Sequence, residues 1–214
     1  DAAPVLVPDW ARRAPPAEAR PPRPLAPSAI EPSDTVSNPP PSPEQRVAAE
    51  RGILLHGLFE RLPALPMLQW HEAALRWLAR AAPDMPDADR GRLAEDALSV
   101  LDDSAFAEIF APDALAEASL AGVVNGQVIA GAVDRLIVTA DRVLVVDFKT
   151  GRRVPKDADD LPPHHLAQMA AYAAVLAGVF PDHRVEAALL YTAAPKLIQV
   201  STDDLDRYKP AFRG

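Results

Sequence analysis

Apolar residues along this chain recur with two different periods, and the change from one to the other divides it. From about residue 44 to residue 101 they fall at three- and four-residue spacing, the signature of amphipathic helices. Ser42-Pro43-Glu44-Gln45 supplies an N-cap serine, a proline at the first helical position and a glutamine at the third, so a helix is predicted from there to about Leu62, where Pro63 ends it. Further helices are predicted over about Leu68–Ala81 and Ala88–Leu101, with a short turn near Ala105–Phe110. The pattern then becomes short, β-branched and alternating, predicting strands at about Ala116–Val124, Gln127–Val138 and Val143–Phe148. Asn125-Gly126 is a strong hairpin signal between the first two. A helix over about Pro163–Gly178, strands at Arg184–Tyr191 and Lys196–Val200, and a last helix from the Ser201 cap to about Phe212 complete the pattern. Together these elements predict an α/β (α+β) domain built on one mixed sheet.

Residues 1–43 hold just over half of the 24 prolines, a density no helix survives. They are expected to form an extended linker or surface-hugging tether, with Val5, Leu6 and Trp10 as anchor points and residues 44–214 as the folded domain. The chain begins at Asp1, so it is expected to be a fragment with a further region upstream. Nothing in it has the length of a membrane span or the form of a signal peptide. The absence of cysteine rules out disulfides, thiol catalysis and a cysteine-held iron–sulfur cluster. A formal charge of −8 argues against a broad basic nucleic-acid surface. There is no Gly-rich phosphate loop, so no ATP hydrolysis is expected of this region.

The candidate chemistry lies in two neighbouring strands. A hairpin turning at Thr139-Ala140-Asp141-Arg142 sets Asp134 directly opposite Asp147. Opposed residues have Cβ atoms about 4.5–5.5 Å apart. Two carboxylates so close among Val, Leu, Ile and Phe are costly unless a divalent cation lies between them. Lys149 shares the face of Asp147 by the period of two. Val143, Val145, Leu144, Val146 and Phe148 leave both faces of this strand apolar, so its charges need a reason. The rival reading is a pair of ordinary strand-end charges, displaced to opposite faces by one residue of register.

The run Gly131-x-x-Asp134-Arg135, then Asp147-Phe148-Lys149-Thr150-Gly151, then Gln168-x-x-x-Tyr172, with His56 on an upstream helix, resembles the PD-(D/E)XK nucleases in their RecB-like branch. The resemblance covers residues 51 to about 200. It implies a restriction-endonuclease-like core with Asp134 and Asp147 as ligands of Mg²⁺ or Mn²⁺, the backbone carbonyl of Phe148 and the ring of His56 adding donors. Lys149 would neutralise the transition state or orient the attacking water. Gln168 would bond the scissile phosphate or Lys149, and Tyr172 would stack on or bond to the DNA strand. Glu117, on the first strand, is expected to be a further acid ligand or to reach the site through water. Gly52 and Gly57, each costing a helix about 1 kcal/mol against Ala, suggest that something approaches this helix closely. Arg135 is expected in a structural salt bridge, and His164 and His165 as solvent-exposed turn residues.

The proline-rich lead-in with Pro8-Asp9-Trp10 is similar to the helicase-to-nuclease junction of AddA-type subunits. That likeness implies a single-strand DNA nuclease in the bacterial cytoplasm, with a helicase upstream, an AddB-like partner subunit and no iron–sulfur cluster of its own. Its task would be to process double-strand breaks for recombinational repair. The alternative is a non-catalytic module that uses the same fold to bind DNA or a partner.

Overall fold

The computed structural model describes residues 24–29 and 42–210. Helix α1 (Pro43–Arg61) starts where its capping box predicts: the Ser42 hydroxyl accepts from the Gln45 amide at 3.2 Å, and Gln45 Oε1 accepts from the Ser42 amide at 2.8 Å. Helices α2 (Trp70–Ala81) and α3 (Asp87–Leu101) follow. Strands β1 (Leu115–Val124), β2 (Gln127–Val138) and β3 (Arg142–Lys149) form an antiparallel meander. Helix α4 (Pro163–Val179) crosses over to β4 (Arg184–Tyr191), which runs parallel to β3, and β5 (Lys196–Val200) returns antiparallel. The sheet order is β1-β2-β3-β4-β5, a mixed α/β architecture as expected. The β1–β2 turn puts both Asn125 (φ 49°) and Gly126 (φ 80°) in the left-handed region, as its sequence requires.

Two apolar layers sandwich the sheet. On one face Leu144, Val146 and Phe148 of β3 share an apolar layer with Leu55, Leu58 and Phe59 of α1, Leu78 of α2 and Leu93 and Ala97 of α3. On the other, Val143 and Val145 meet Met169, Tyr172 and Leu176 of α4. Six consecutive residues of β3 are buried, which explains its continuous apolar pattern.

Strand β2 departs from regularity at one place. Val133 and Leu136 lie three residues apart yet belong to the same apolar layer. A regular strand would send them to opposite faces. The alternation therefore slips at Asp134, level with Glu117 of β1, whose φ of 48° is left-handed. Beyond the slip β3 no longer pairs with β2, and the freed edge takes Leu25: its amide donates to Val128 O at 2.8 Å, and its carbonyl accepts from the Ala130 amide at 3.1 Å.

The last helix, α5 (Thr202–Arg207), is shorter than the sequence suggests. Pro210 disfavours a helical conformation at Lys209, so the helix stops before it. The proposed anchors Val5, Leu6 and Trp10, and the helix end expected at Phe212, lie outside the described residues. Among the described residues no helix is long and apolar enough to cross a membrane.

Candidate active site

Helix α1 brings His56 to the sheet because its last two turns carry the apolar stripe Leu54, Leu55, Leu58 and Phe59, which buries against Phe148 and Phe110. Its two glycines permit the approach. A Cβ on Gly57 would lie 2.4 Å from the Trp77 ring, and one on Gly52 would lie 2.6 Å from Thr150 Oγ1. What comes close to this helix is thus the protein's own side chains.

The β2–β3 register is the one the hairpin predicts from Val138–Val143 to Arg135–Val146, but the ladder ends there, one step short of Asp134 and Asp147. Instead of facing Asp147 in a regular pair, Asp134 accepts the Phe148 amide on Oδ2 and lies 3.0 Å from His56 Nδ1 through Oδ1. The slip in β2 is what frees its carboxylate to reach across the seam. Since the N–H and C=O of a strand residue share one side, the Phe148 carbonyl faces the same seam.

One donor atom from each of His56, Glu117 and Asp134 lies within 4.8 Å of the others. An imidazole nitrogen and two carboxylate oxygens at that spacing suit a divalent ion such as Mn²⁺ or Mg²⁺, so the residues present fit the metal that the sequence implies. The charges confirm how closely the three are coupled. Burial pulls the His56 pKa down, but the hydrogen bond and charge of Asp134, with Asp147 and Glu117 behind it, outweigh burial and raise it. Burial and then Asp134 raise that of Glu117.

A second cluster occupies the α4 side. Asp147 is buried, with Lys149 Nζ 2.8 Å from Oδ2 and Gln168 Nε2 donating to Oδ1 at 2.7 Å. Lys149 Nζ also donates to Gln168 Oε1 at 2.6 Å, closing a triangle. Gln168 thus has Lys149, one of the two partners expected for it, within hydrogen-bond distance. Burial pushes the Asp147 carboxyl up to about 6, against the lowering charge of Lys149 and with Asp134 adding to the rise.

Three expectations need correction. Tyr172 is only 1% exposed, and its hydroxyl donates to Ala132 O at 2.8 Å. No face of its ring is free to meet a DNA base, so it is a packing residue that braces β2 beside the slip. Arg135, 3% exposed, forms no ion pair among the described residues; its guanidinium donates to Phe59 O and Ala114 O and lies over the Phe110 ring. It ties the end of α1 to the start of β1. His164 and His165 are half-buried on the first turn of α4, and His165 Nδ1 lies 3.0 Å from the Tyr191 hydroxyl. Burial, then the nearby Lys149 charge, pushes the His165 pKa down to about 3, so this ring is neutral at physiological pH. Nothing local in the sequence marks these contacts, because their partners lie on strands brought together only by the fold.

The PD-(D/E)XK nuclease superfamily model matches residues 33–212. No curated protein sequence matches the chain. Among solved structures, the crystal structure of a "Putative exonuclease" from Eubacterium rectale superposes with a TM-score of 0.52 at 12% identity, over 80% of this chain and 64% of that one. This chain thus spans a little less than two thirds of that protein, and at such identity the likeness concerns the fold alone. A crystal structure of SSO0001 matches with 16% identity over 73% of this chain and 81% of that one, but its TM-score of 0.32 carries no argument. With its family model spanning most of the chain, and an Asp-x-Lys strand beside a His–Asp–Glu cluster, this chain belongs to the PD-(D/E)XK nuclease superfamily.

Proposed function

We propose that this chain is a divalent-metal-dependent deoxyribonuclease acting on single-stranded DNA, the C-terminal nuclease module of an AddA-type helicase–nuclease. In this reading a helicase precedes the proline-rich linker, residues 1–43, and an AddB-like subunit is the partner. The complex processes double-strand breaks in the bacterial cytoplasm. The cysteine-free sequence agrees with the AddA side, since the partner would be the one to carry an iron–sulfur cluster.

The observation that carries the reading is the placement of two unlike clusters across one strand: His56, Glu117 and Asp134 within 4.8 Å of one another, and Lys149 held by Asp147 and Gln168. His56, Asp134, Asp147 and the Phe148 carbonyl would hold Mg²⁺ or Mn²⁺. Such an ion, when bound, lowers the pKa of a water and stabilises charge on phosphoryl oxygens. The remaining work falls to the chain itself. Lys149 places a positive charge where negative charge grows on the phosphate, and Gln168 fixes the direction of its ammonium. Asp147 holds Lys149 from the other side and keeps it from swinging into solvent.

The test is cleavage of a labelled single strand in Mn²⁺, Mg²⁺ or EDTA by the wild type and by Lys149→Ala. Cleavage that needs the ion and is lost in the variant is the expected result. Equal divalent-dependent cleavage by both would overturn the site. Tight DNA binding without cleavage in any metal, with the chain inside its full complex, would favour the non-catalytic module instead.

A further inference from the structure

We propose that Glu117 is a direct ligand of the ion, adding a donor from the β1 side to those of His56, Asp134 and Asp147. The inference rests on the metal-dependent reading above and deepens it by naming the side chains that face the ion.

Four observations lead there. The pairs Ala116–Arg135 and Ala118–Val133 flank Glu117 and Asp134, so the two acids lie level on adjacent strands. Their carboxylates and the His56 ring each offer an atom within 4.8 Å of the other two. Two carboxylates held that close repel one another unless a cation intervenes. Asp134 has His56 beside it, but Glu117 forms no ion pair among the described residues.

The backbone adds a further point. Glu117 stands at φ 48°, a conformation that glycine adopts freely and a glutamate only at a cost. It occurs in mid-strand, where no turn demands it, and opposite the one place where β2 loses its alternation. Sequence economy would put Gly or Asn there. A glutamate held in that conformation, pointing its carboxylate at Asp134, is explained by a ligand that needs the oxygen.

Mn²⁺ binding to the 214-residue chain without DNA, followed by the electron paramagnetic resonance signal of the free ion, tests this apart from catalysis. Wild type is expected to bind one ion. Glu117→Gln and Glu117→Gly are each expected to weaken that binding by at least about 10-fold, the loss seen even for residues that only support a metal's ligands. Glu117→Gly is also expected to melt in EDTA at a temperature no lower than wild type, because it relieves the left-handed backbone. A side chain with a merely structural role would lower the melting temperature and leave the affinity alone. If both variants bind Mn²⁺ as tightly as wild type while Asp134→Asn does not bind it, the role of Glu117 is overturned and the metal-dependent reading stands. If wild type itself binds no Mn²⁺, both fall.

Discussion

The two halves of the site are built from similar residues and differ in what they leave unsatisfied. On the α4 side, Asp147, Lys149 and Gln168 close on one another, with every polar side-chain atom of the acid and the amide engaged. On the α1 side, His56, Asp134 and Glu117 converge with negative charge in excess and no lysine or arginine paired to them among the described residues. A closed triangle is stable without help and fixes a positive charge in position. An open, acid-rich cluster gains by taking up a cation. The two aspartates that the sequence presents as an equivalent pair thus have different neighbours, Asp134 meeting His56 and the Phe148 amide and Asp147 meeting Lys149 and Gln168.

The largest expected effect tests that division directly. Lys149→Met should lower cleavage by about 10²–10³-fold, the scale of losing one charge-stabilising donor. Mn²⁺ affinity in the same variant should stay within a few-fold of wild type. Asp134→Asn should lose both. If Lys149→Met also lost Mn²⁺ binding tenfold, the two halves would be a single unit and the comparison would fail.

The glycines of α1 give a second contrast, in stability. Gly57→Ala drives a Cβ to 2.4 Å from the partly buried Trp77 ring, a rigid neighbour, and should cost about 1–3 kcal/mol even after the gain in helix propensity. Gly52→Ala meets only the Thr150 hydroxyl, which can rotate away, so it should be neutral or more stable by up to about 1 kcal/mol. Urea midpoints of the two variants check this. Equal losses would mean that Thr150 is as firmly held as Trp77, and that the α1 side is less open than described.

Tyr172→Phe should cost about 1 kcal/mol, because the Ala132 carbonyl loses its hydroxyl donor beside the β2 slip. Affinity for single-stranded DNA should not change. A weakened DNA complex with unchanged stability would restore the tyrosine to the substrate surface.

How much of this could be read from the sequence follows from the range of the forces involved. The capping box at Ser42, the Asn125-Gly126 turn and the two-residue period of β3 are local, and each element begins and ends close to where its own residues dictate. The Lys149–Asp147 pair is also local, two residues apart on one strand. The slip at Asp134 is not. It needs a left-handed backbone at Glu117, a residue type that gives no warning of one, so the sequence predicts a register running past the point where the ladder stops. Tyr172 is ambiguous for a related reason: a tyrosine four residues from a polar glutamine looks the same whether its helix face meets DNA or the sheet, and only the packing of α4 decides. The glycines correctly announced a close approach, yet identifying Trp77 and Thr150 required the tertiary structure.

The smallest effect concerns pH, and there the α4 side contains two opposing groups. Asp147 has its pKa raised to about 6, mainly by burial, so the folded state binds the proton more tightly than the unfolded chain. Its contribution to stability is full below the ordinary carboxylate range and is lost as pH rises through about 6. His165 has its pKa lowered to about 3, again mainly by burial, so the unfolded chain binds the proton more tightly. Its contribution is full above the ordinary histidine value and is lost as pH falls from about 6.5 toward 3. The two windows overlap and their slopes oppose, so between about 4 and 6 the contributions of these two groups largely cancel. Each substitution should expose the other group. Relative to wild type, His165→Asn should tilt stability downward as pH rises through that interval, and Asp147→Asn should tilt it upward. Urea midpoints at a series of pH values measure both slopes. If the two variants shifted the wild-type slope in the same direction, Asp147 and His165 would not be the opposing pair, and the charge balance assigned to the α4 side would be wrong.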